Sequence, residues 1–281
     1  MKIAESIETL KDVVKEWRMQ GLSIGFVPTM GNLHAGHISL VNEAKSQCDK
    51  VVVSVYVNPL QFNESSDFES YPVTLQEDQS KLRDVQTDLL FLPSSEVMYP
   101  EGEASVSKVS VPDIGDMLEG ECRPGHFDGV ATVVNKLFNM VQPDTSFFGF
   151  KDYQQLLLVQ KMVRDLNMPV DIRSVKTQRE ASGLAMSSRN SRLSATQREQ
   201  APELYKTLQW CLQCLSDNTI EVHELEQKAT KRLVAAGFEP EYVSLRSANN
   251  LQPLTHFESG SVILAAARLG DVRLIDNILC P

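Results

Sequence analysis

Residues 27–40 read VPTMGNLHAGHISL and join a short apolar run to a helical pattern. Pro28, Gly31 and Gly36 interrupt this segment, and two of the five histidines of the chain stand three residues apart within it. Glycine can adopt positive φ angles and lets the backbone approach a ligand closely. The segment therefore predicts a strand, a tight turn and the start of a helix, as in the first βα unit of a parallel sheet.

The sequence on either side continues this alternation as far as about residue 175. Strand patterns are read in SIGFVPT (23–29), KVVVSVYV (50–57), TDLLFLP (87–93) and DTSFFGF (144–150). Helical patterns are read in HISLVNEAKSQC (37–48), TLQEDQSKLRDV (74–85), GVATVVNKLFNMV (129–141) and DYQQLLLVQKMVRDL (152–166). Alternating strands and helices imply right-handed crossovers. The predicted fold is α/β, a Rossmann-like parallel sheet with helices on both faces.

The pattern changes after residue 175. A polar loop, QREASGLAMSSRNSRLS (178–194), precedes a long helical stretch from about 195 to 236, and strand patterns follow at 241–254 and 260–279. These elements predict a smaller C-terminal α+β domain. The expected division is a Rossmann-like domain over residues 1–175 and the α+β domain over residues 176–281.

Composition excludes several classes of protein. The 281 residues are 42% hydrophobic and 23% charged, as in ordinary globular proteins. The 27 basic and 37 acidic residues give a net charge of −10, which argues against a nucleic-acid partner. The N-terminus lacks the apolar run of a signal peptide, and no stretch approaches the roughly 20 apolar residues of a membrane span. We therefore expect a cytoplasmic protein with no membrane partner.

Five cysteines form no regular framework, which fits reduced thiols. Cys211 and Cys214 make a C-x-x-C, but they lie in the apolar helical pattern LYKTLQWCLQCL. Two packed thiols are the favoured interpretation, with a redox or metal role as the alternative.

The turn after the first strand is a candidate anion site. Ligands of doubly wound sheets bind at the carboxyl ends of the strands, and a helix that starts near Ala35 would present free N–H groups there. His34 and His37 would flank the anion and could donate hydrogen bonds to phosphate oxygens. The segment matches neither G-x-G-x-x-G nor the P-loop pattern. A metal-binding pair or two accidental surface histidines are the alternatives.

A second candidate segment is GLAMSSRN (183–190). Ser187 and Ser188 offer hydroxyl and backbone donors, and Arg189 offers a planar cation suited to phosphate oxygens. The segment lacks the G-x-S-x-G context of a serine nucleophile. Taken alone it would be read as a surface turn, but together with the histidine pair it predicts a loop that closes on a triphosphate.

The spacing H-x-G-H is similar to the signature of Rossmann-like enzymes that attack the α-phosphate of ATP. Five motifs in register extend the resemblance: PTMGNLHAGH, VNPLQF, RPGHFDGV, GFKDYQQL and GLAMSSRN. Together they resemble the pantothenate synthetase (pantoate–β-alanine ligase) family nearly end to end, from Met30 to the closing LGDVRLIDN. The resemblance implies that ATP activates pantoate as a pantoyl adenylate, which β-alanine then attacks, with release of pyrophosphate and AMP. It also implies Mg²⁺ with the ATP and a homodimer.

The resemblance assigns residues by position. The implied catalytic residues surround the phosphates: His34, His37, Lys151, Ser187, Ser188 and Arg189. The implied ATP site adds the rest of the turn and the neighbouring loops: Met30, Gly31, Asn32, Leu33, Ala35, Gly36, Gly149, Phe150, Asp152 and Met186. The implied pantoate and β-alanine site consists of Gln61, Gln155, Asn58, Tyr71, Arg123 and His126.

Some of these assignments keep an alternative. Neutral amides at Gln61 and Gln155 would orient pantoate without damping the nucleophilicity of its carboxylate. Arg123 and His126 could instead be structural loop residues. Asp78 is a tentative contact of Mg²⁺, with a solvated helix face as the alternative.

The chain departs from the family pattern where an acid is common, at Phe150 and Ser182, and where an aromatic residue is frequent, at Arg192. These changes could alter nucleotide affinity and loop closure rather than the chemistry. Two other functions stay open. One is a nucleotidyltransferase that leaves the nucleotidyl group on its product, and the other is a catalytically silent nucleotide-binding sensor.

Overall fold

The structure is a computed structural model that describes residues 1–217 and 220–280. Asn218 and Thr219, within the predicted helical stretch, and Pro281, the predicted end of the second domain, lie outside the described residues.

Six parallel strands form the first sheet, in the order β1-β4-β3-β2-β5-β6. Their bounds are β1 Lys2–Ala4, β2 Ile24–Thr29, β3 Lys50–Val55, β4 Leu89–Phe91, β5 Thr145–Gly149 and β6 Asp171–Val175. The Rossmann-like α/β prediction is confirmed. Sequence analysis did not identify β1 or β6, the two edge strands, because β1 has only three residues and β6, DIRSV, is polar and mostly solvent-facing.

Eight helices accompany this sheet: α1 Ile7–Met19, α2 Ala35–Gln47, α3 Ser65–Glu69, α4 Leu75–Asp84, α5 Ser95–Met98, α6 Glu119–Cys122, α7 His126–Val141 and α8 Tyr153–Asp165. Alternate residues of strands β2 to β5 face two different hydrophobic clusters. Phe26 packs with α1, α7 and α8, whereas Val27 packs with α2 and α4. Helices therefore cover both faces of the sheet, as predicted.

The second sheet is antiparallel and has three strands, β7 Glu239–Ser247, β8 Ser261–Leu269 and β9 Val272–Cys280, in sequence order. Within its described residues, the predicted long helical stretch contains three helices, α9 Ala195–Gln200, α10 Glu203–Ser216 and α11 Val222–Ala235. The helical stretch is interrupted at Pro202, which lacks a backbone N–H and stands at the start of α10. These helices and the sheet share one cluster, in which Cys211 is buried and Cys214 partly buried, as expected of packed thiols.

The predicted division at residue 175 stays a prediction. β6 ends at Val175 and is the last strand of the first sheet. However, Leu251, Val262 and Leu264 of the C-terminal part pack into the main cluster of the first. None of the described helices is long and apolar enough to cross a membrane.

Strand order positions the candidate site. The chain builds outward from β2 to β3 and β4, and then returns to place β5 on the other side of β2. The order of the strands reverses between β2 and β5, and a crevice opens at the carboxyl ends of strands at such a point. The turn at residues 30–34 follows β2 and the loop at residues 150–152 follows β5, so both lie at this crevice.

Candidate active site

Two histidine rings close the start of α2. His34 is the N-cap residue, and its Nδ1 accepts a hydrogen bond from the Gly36 N–H at 3.1 Å. Nδ1 of His37 accepts in turn from the His34 N–H at 3.3 Å. The rings lie with their centroids 4.1 Å apart. Gly36 permits this arrangement, since a Cβ there would stand 2.8 Å from the His34 ring.

The two imidazoles are uncharged near neutral pH. Burial, followed by the charge of Lys151, lowers the pKa of His34 to about 4. Burial, followed by the His34 ring and Lys151, lowers the pKa of His37 to about 3. Because each Nδ1 accepts a backbone N–H, the proton of each neutral ring is on Nε2. The site therefore presents two Nε2–H donors suited to phosphate oxygens.

These pKa values predict an acid-sensitive fold. The unfolded chain binds protons at these histidines below about pH 6.5, whereas the folded chain does not until about pH 4 for His34 and about pH 3 for His37. Their contribution to stability is complete above pH 6.5 and falls as the pH drops through this window. Chemical denaturation at pH 7, 6, 5 and 4.5 should show this fall, and His37→Asn should reduce its slope. If the free energy of unfolding of His37→Asn falls with pH as steeply as that of wild type, the lowered pKa of His37 is contradicted. The control is His223→Gln at an exposed histidine, which should keep the wild-type slope.

A buried carboxylate shapes the turn before the helix. Asp78, on α4, is 1% exposed and accepts hydrogen bonds from the backbone N–H groups of Asn32 and Leu33 at 2.9 and 2.7 Å. The Thr74 hydroxyl donates to it at 3.2 Å. Gly31 and Asn32 adopt positive φ angles of 83° and 47°, which sharpen the turn. The alternative of a solvated helix face for Asp78 is therefore wrong.

Replacing Asp78 tests this role. Asp78→Asn keeps one acceptor oxygen but turns an NH₂ group toward a backbone donor, so the turn should be displaced. We expect the KM for ATP to rise about tenfold and the free energy of unfolding to fall by about 1–3 kcal/mol, as for a buried hydrogen bond left unmade. Steady-state kinetics and denaturation measure both. The exposed Glu77→Gln, one residue away, is the control, and an unchanged KM for Asp78→Asn would contradict the role.

The serine-arginine segment lies directly on this turn. The Ser188 hydroxyl donates to the Asn32 carbonyl at 3.0 Å, and the Asn32 amide donates to the Ser188 carbonyl at 3.2 Å. The Ser187 hydroxyl caps the 3₁₀ turn Ser188–Arg192 by accepting from the Arg189 N–H. The structure therefore brings the two predicted halves of the phosphate site together.

An acidic residue of α3 holds the cations of this segment. Asp67 accepts from the guanidinium groups of Arg189 at 2.9 Å and Arg192 at 3.1 Å. Burial would raise the Asp67 pKa, but the hydrogen bonds and charges of the two arginines outweigh it and lower the pKa. Arg192 therefore joins the ion pair that positions Arg189.

The 3₁₀ turn Pro59–Gln61, after β3, carries the first predicted pantoate residue. Gln61 donates to the Met30 sulfur at 2.9 Å and accepts from the Asn58 amide at 3.2 Å. Asn58 is 1% exposed, donates to the Gly129 carbonyl at 3.1 Å and accepts from the Tyr99 hydroxyl at 2.7 Å. Asn58 therefore positions Gln61, because its own polar atoms already have partners.

Arg123 and His126 hold the same turn from the other side. His126 Nδ1 lies 2.7 Å from the Gln61 carbonyl, and Arg123 donates to that carbonyl at 3.3 Å. Burial, followed by the charge of Arg123, lowers the His126 pKa to about 4, so the neutral ring donates through Nδ1. Both residues thus have the structural role that was the open alternative, and both also line the larger of the two cavities described next.

Two adjoining cavities contain most of the predicted residues. The smaller, of about 220 Å³, is lined by Met30, Gly36, His34, His37, Asn58, Gln61, Tyr71, Gly149, Lys151, Asp152, Gln155, Met186, Ser187, Ser188 and Arg189. The larger, of about 540 Å³, shares seven of these residues, and Arg123, His126 and Arg273 also line it. The Gln155 side chain makes no hydrogen bond with the described residues and lines both cavities, so it is available to a ligand.

Two of the predicted ATP-binding residues have side chains that pack in hydrophobic clusters. The Leu33 side chain is 2% exposed and belongs to a hydrophobic cluster. Phe150 packs against the main cluster, with its ring 4.9 Å from that of Tyr153. Neither side chain lines the two cavities, and the predicted ATP contacts of Leu33 and Phe150 stay predictions. Gly31, Asn32 and Ala35 shape the turn rather than line the smaller cavity.

Sequence analysis missed residues that hold the site residues. Asp67 lies in the acidic segment ESSDFES, where nothing distinguishes it from its neighbours. Asn277 of β9 donates to the carbonyls of Phe150 and Lys151 at 3.0 and 2.8 Å. It ends the segment LGDVRLIDN, in which no local pattern indicates a contact with the site. The described residues contain no group of three or more His, Cys, Asp or Glu side chains placed to hold a metal ion.

Comparison with known proteins gives one family. The sequence profile described as Pantoate-beta-alanine ligase matches residues 2–279. The pantothenate synthetase of Stutzerimonas stutzeri is 52% identical over 279 residues, covering 99% of this chain and 98% of that protein. That of Colwellia psychrerythraea is 50% identical over 283 residues, covering 99% of this chain and 98% of that protein.

Solved structures agree with this result. A pantothenate synthetase from Thermus thermophilus superposes with a TM-score of 0.92 at 41% identity, covering 99% of each chain. A pantoate-beta-alanine ligase from Francisella tularensis, solved in complex with beta-gamma ATP and beta-alanine, gives a TM-score of 0.85 at 37% identity and covers 99% of this chain and 97% of that one.

Proposed function

Since the chain belongs to the pantoate-beta-alanine ligase family, we propose how its residues carry out the reaction of that family. The protein is an AMP-forming ligase that joins pantoate to β-alanine and forms pantothenate, with ATP as a substrate. The observation that carries the residue assignment is the convergence of the two histidine Nε2–H donors, Lys151 and residues 187–189 on one cavity.

In the first step the pantoate carboxylate attacks the α-phosphorus of ATP. A bond forms between a carboxylate oxygen and this phosphorus, and the bond to the pyrophosphate oxygen breaks. The charge on the phosphate oxygens increases along this path, and preorganised donors stabilise it without reorganising. We assign this task to Nε2–H of His34 and His37, Nζ of Lys151, the hydroxyl groups of Ser187 and Ser188, and Arg189.

Pantoate occupies the inner part of the smaller cavity. Gln61 and Gln155 orient its carboxylate and hydroxyl groups with neutral amides, which leaves the carboxylate nucleophilic. Val130, Val133 and Leu137 of α7 line the same cavity and offer an apolar wall to the two methyl groups of pantoate. A purely nucleotide-binding sensor would have no use for this wall.

In the second step the β-alanine amine attacks the acyl carbon of the adenylate and AMP leaves. The Arg123 guanidinium is half-buried at the larger cavity and pairs with no carboxylate of the described residues, unlike Arg189, Arg192 and Arg273. It is therefore the cation that we assign to a substrate carboxylate. The C-terminal lid domain and the segment at residues 187–192 keep water from the mixed anhydride.

Mg²⁺ is proposed to accompany ATP and to be held by its phosphates. Asp78 does not fit the direct contact expected from the resemblance. Its oxygens accept three hydrogen bonds from the turn and from Thr74, and a metal ion would compete with these donors. Asp78 also lines a third cavity, together with Gly31, rather than the one that contains the histidines. We therefore assign Asp78 to the shape of the turn.

A homodimer is proposed from the resemblance, and sedimentation analysis would test it. A cytoplasmic location is proposed because the reaction consumes ATP.

The test of the function is a substrate-omission assay. Wild-type protein is incubated with ATP and pantoate, with and without β-alanine, while AMP, pyrophosphate and pantothenate are measured. The proposal predicts pantoate-dependent exchange of pyrophosphate into ATP without β-alanine, and multiple turnovers to AMP and pantothenate with it. Multiple turnovers that leave the nucleotidyl group on the product, without β-alanine, would indicate a nucleotidyltransferase. Binding of ATP without any turnover would indicate a sensor.

A further inference from the structure

The backbone of the loop that carries Lys151 makes few hydrogen bonds to the first sheet and its helices. The Phe150 N–H donates to the Val175 carbonyl at 2.8 Å, and the Asp152 N–H to the Gly149 carbonyl at 3.3 Å. Asp152 stands at the N-cap of α8, but its side chain makes no capping hydrogen bond. The carbonyl groups of Phe150 and Lys151, which precede and follow the Lys151 Cα, are therefore free to accept hydrogen bonds from another part of the chain.

Asn277 binds these carbonyls from the second sheet. Its amide Nδ2 donates to the Phe150 carbonyl at 3.0 Å and to the Lys151 carbonyl at 2.8 Å. One NH₂ group thus uses both of its hydrogens on consecutive peptide units. Because two fixed donors determine the orientation of the intervening residue, this contact sets the direction in which the Lys151 side chain leaves the backbone.

Asn277 also lowers the stability of the fold, because it buries a polar atom without a partner in the described part of the chain. It is 4% exposed, and its Oδ1 has no hydrogen-bond partner among the described residues. A buried acceptor without a partner lowers stability, and an apolar residue of similar size would avoid that cost. An asparagine at such a position points to a role other than stability.

The preceding residue holds the second half of the phosphate site. Asp276 is 4% exposed and accepts from both terminal nitrogens of Arg179, at 2.6 and 2.9 Å. Arg179 also donates to the Gly183 carbonyl and stacks on the Tyr205 ring at 3.4 Å. This fixes the base of the segment that contains Ser187 and Ser188. Adjacent residues of β9 therefore anchor both the Lys151 loop and the serine-arginine segment.

On this geometry we infer that Asn277 is a positioning residue that aims Lys151 at the phosphates of ATP. The inference rests on the proposed function for the identity of the ligand. Asn277 touches no substrate, and its effect passes through Lys151. It also connects the lid domain to the phosphate site, since a displacement of β9 would displace the two carbonyls.

The test is a double-mutant cycle with ATP binding and turnover as readouts. The proteins are wild type, Asn277→Ala, Lys151→Met and the double variant, and calorimetry gives the Kd for ATP while steady-state kinetics give kcat and KM. For Asn277→Ala we expect kcat to fall about tenfold, as when a catalytic group is misplaced by less than an ångström. The KM for pantoate should stay within about twofold, because Gln61 is held by other contacts.

The cycle distinguishes positioning from general stability. In the Lys151→Met background, Asn277→Ala should weaken ATP binding and turnover by less than about twofold further, because the side chain that it aims is gone. An equal effect in both backgrounds would overturn the inference, as would a wild-type kcat and Kd in Asn277→Ala. Asn277→Asp, which has the same shape but repels the two carbonyls, should be as defective as Asn277→Ala.

A matched control comes from the same strand. Ile278 is the next residue and packs against the hydrophobic cluster that the second sheet shares with α10 and α11. Ile278→Ala should lower the melting temperature but leave the Kd for ATP unchanged; if it weakens ATP binding as much as Asn277→Ala, general loosening of β9 explains the effect and the inference fails. Failure of the proposed function would be visible separately, as wild-type protein without pantoate-dependent turnover.

Discussion

Replacing His37 by alanine should lower kcat about a hundredfold, which corresponds to the loss of about 3 kcal/mol of transition-state stabilisation by one preorganised donor. The KM for pantoate should stay within about twofold, because Gln61 and Gln155 lie on other elements. The reason is geometric. His37 Nδ1 is occupied by the His34 N–H, and the neutral ring keeps its proton on Nε2, where the charge of the phosphate oxygens increases.

The alanine variant also removes part of the cap of α2, which costs roughly 1 kcal/mol of stability in typical helices. Two further variants separate the cap from the catalysis. The amide of an asparagine side chain reaches only the Nδ1 position of an imidazole. His37→Asn therefore keeps a cap acceptor, and its kcat should be as low as that of His37→Ala. Glutamine reaches the Nε2 position, so His37→Gln should recover part of the rate.

Steady-state kinetics for the three His37 variants, with denaturation curves alongside, decide between these roles. A His37→Asn protein with nearly wild-type kcat would mean that His37 acts only as a cap. A raised KM for pantoate with an unchanged kcat would mean that the His37 ring contacts pantoate rather than the phosphates of ATP.

Replacing Gly129 by alanine should raise the KM for pantoate more than tenfold. A Cβ at this position of α7 would stand 2.2 Å from the Leu60 carbonyl oxygen and 2.7 Å from the Gln61 N–H nitrogen. All of these neighbours are backbone atoms, so the 3₁₀ turn that carries Gln61 must move away from the helix. A displacement of about 1 Å at a binding group can cost up to a hundredfold in activity.

The same substitution overpacks the core and should reduce the free energy of unfolding by about 1–3 kcal/mol. Phe138→Leu is the matched control, because Phe138 lies on the same helix and packs on Phe26 and Phe148, away from the turn. That variant should lose stability and keep its KM for pantoate. If Gly129→Ala changes the KM values for pantoate and ATP to the same small extent as Phe138→Leu, Gln61 is not held by this contact.

The sequence predicted the sheet core well because its signals are local. KVVVSVYV and TDLLFLP are apolar without polar alternation, as strands covered on both faces must be. The polar edge strand β6 carries no such signal. The helix boundary at Pro202 was missed because the apolar spacing of the stretch continues across it.

The candidate site was predicted in part for the same reason. His34, His37 and the segment at residues 187–189 carry recognisable chemistry in short motifs, and the structure brings them together. The partners that orient them lie far away in sequence: Asp67 is 122 residues from Arg189, and Asn277 is 126 residues from Lys151. Periodicity and spacing contain no information on such contacts, which only the tertiary packing of the chain produces.

The most direct test of the account is a crystal structure of the protein with a non-hydrolysable ATP analogue and pantoate. We predict that an α-phosphate oxygen lies within roughly 2.7–3.2 Å of His37 Nε2, the distance of an N–H···O hydrogen bond. The triphosphate should also contact Lys151 and residues 187–189, with the pantoate carboxylate between Gln61 and Gln155. A nucleotide bound outside the crevice between β2 and β5, with both imidazoles turned away from it, would contradict the account.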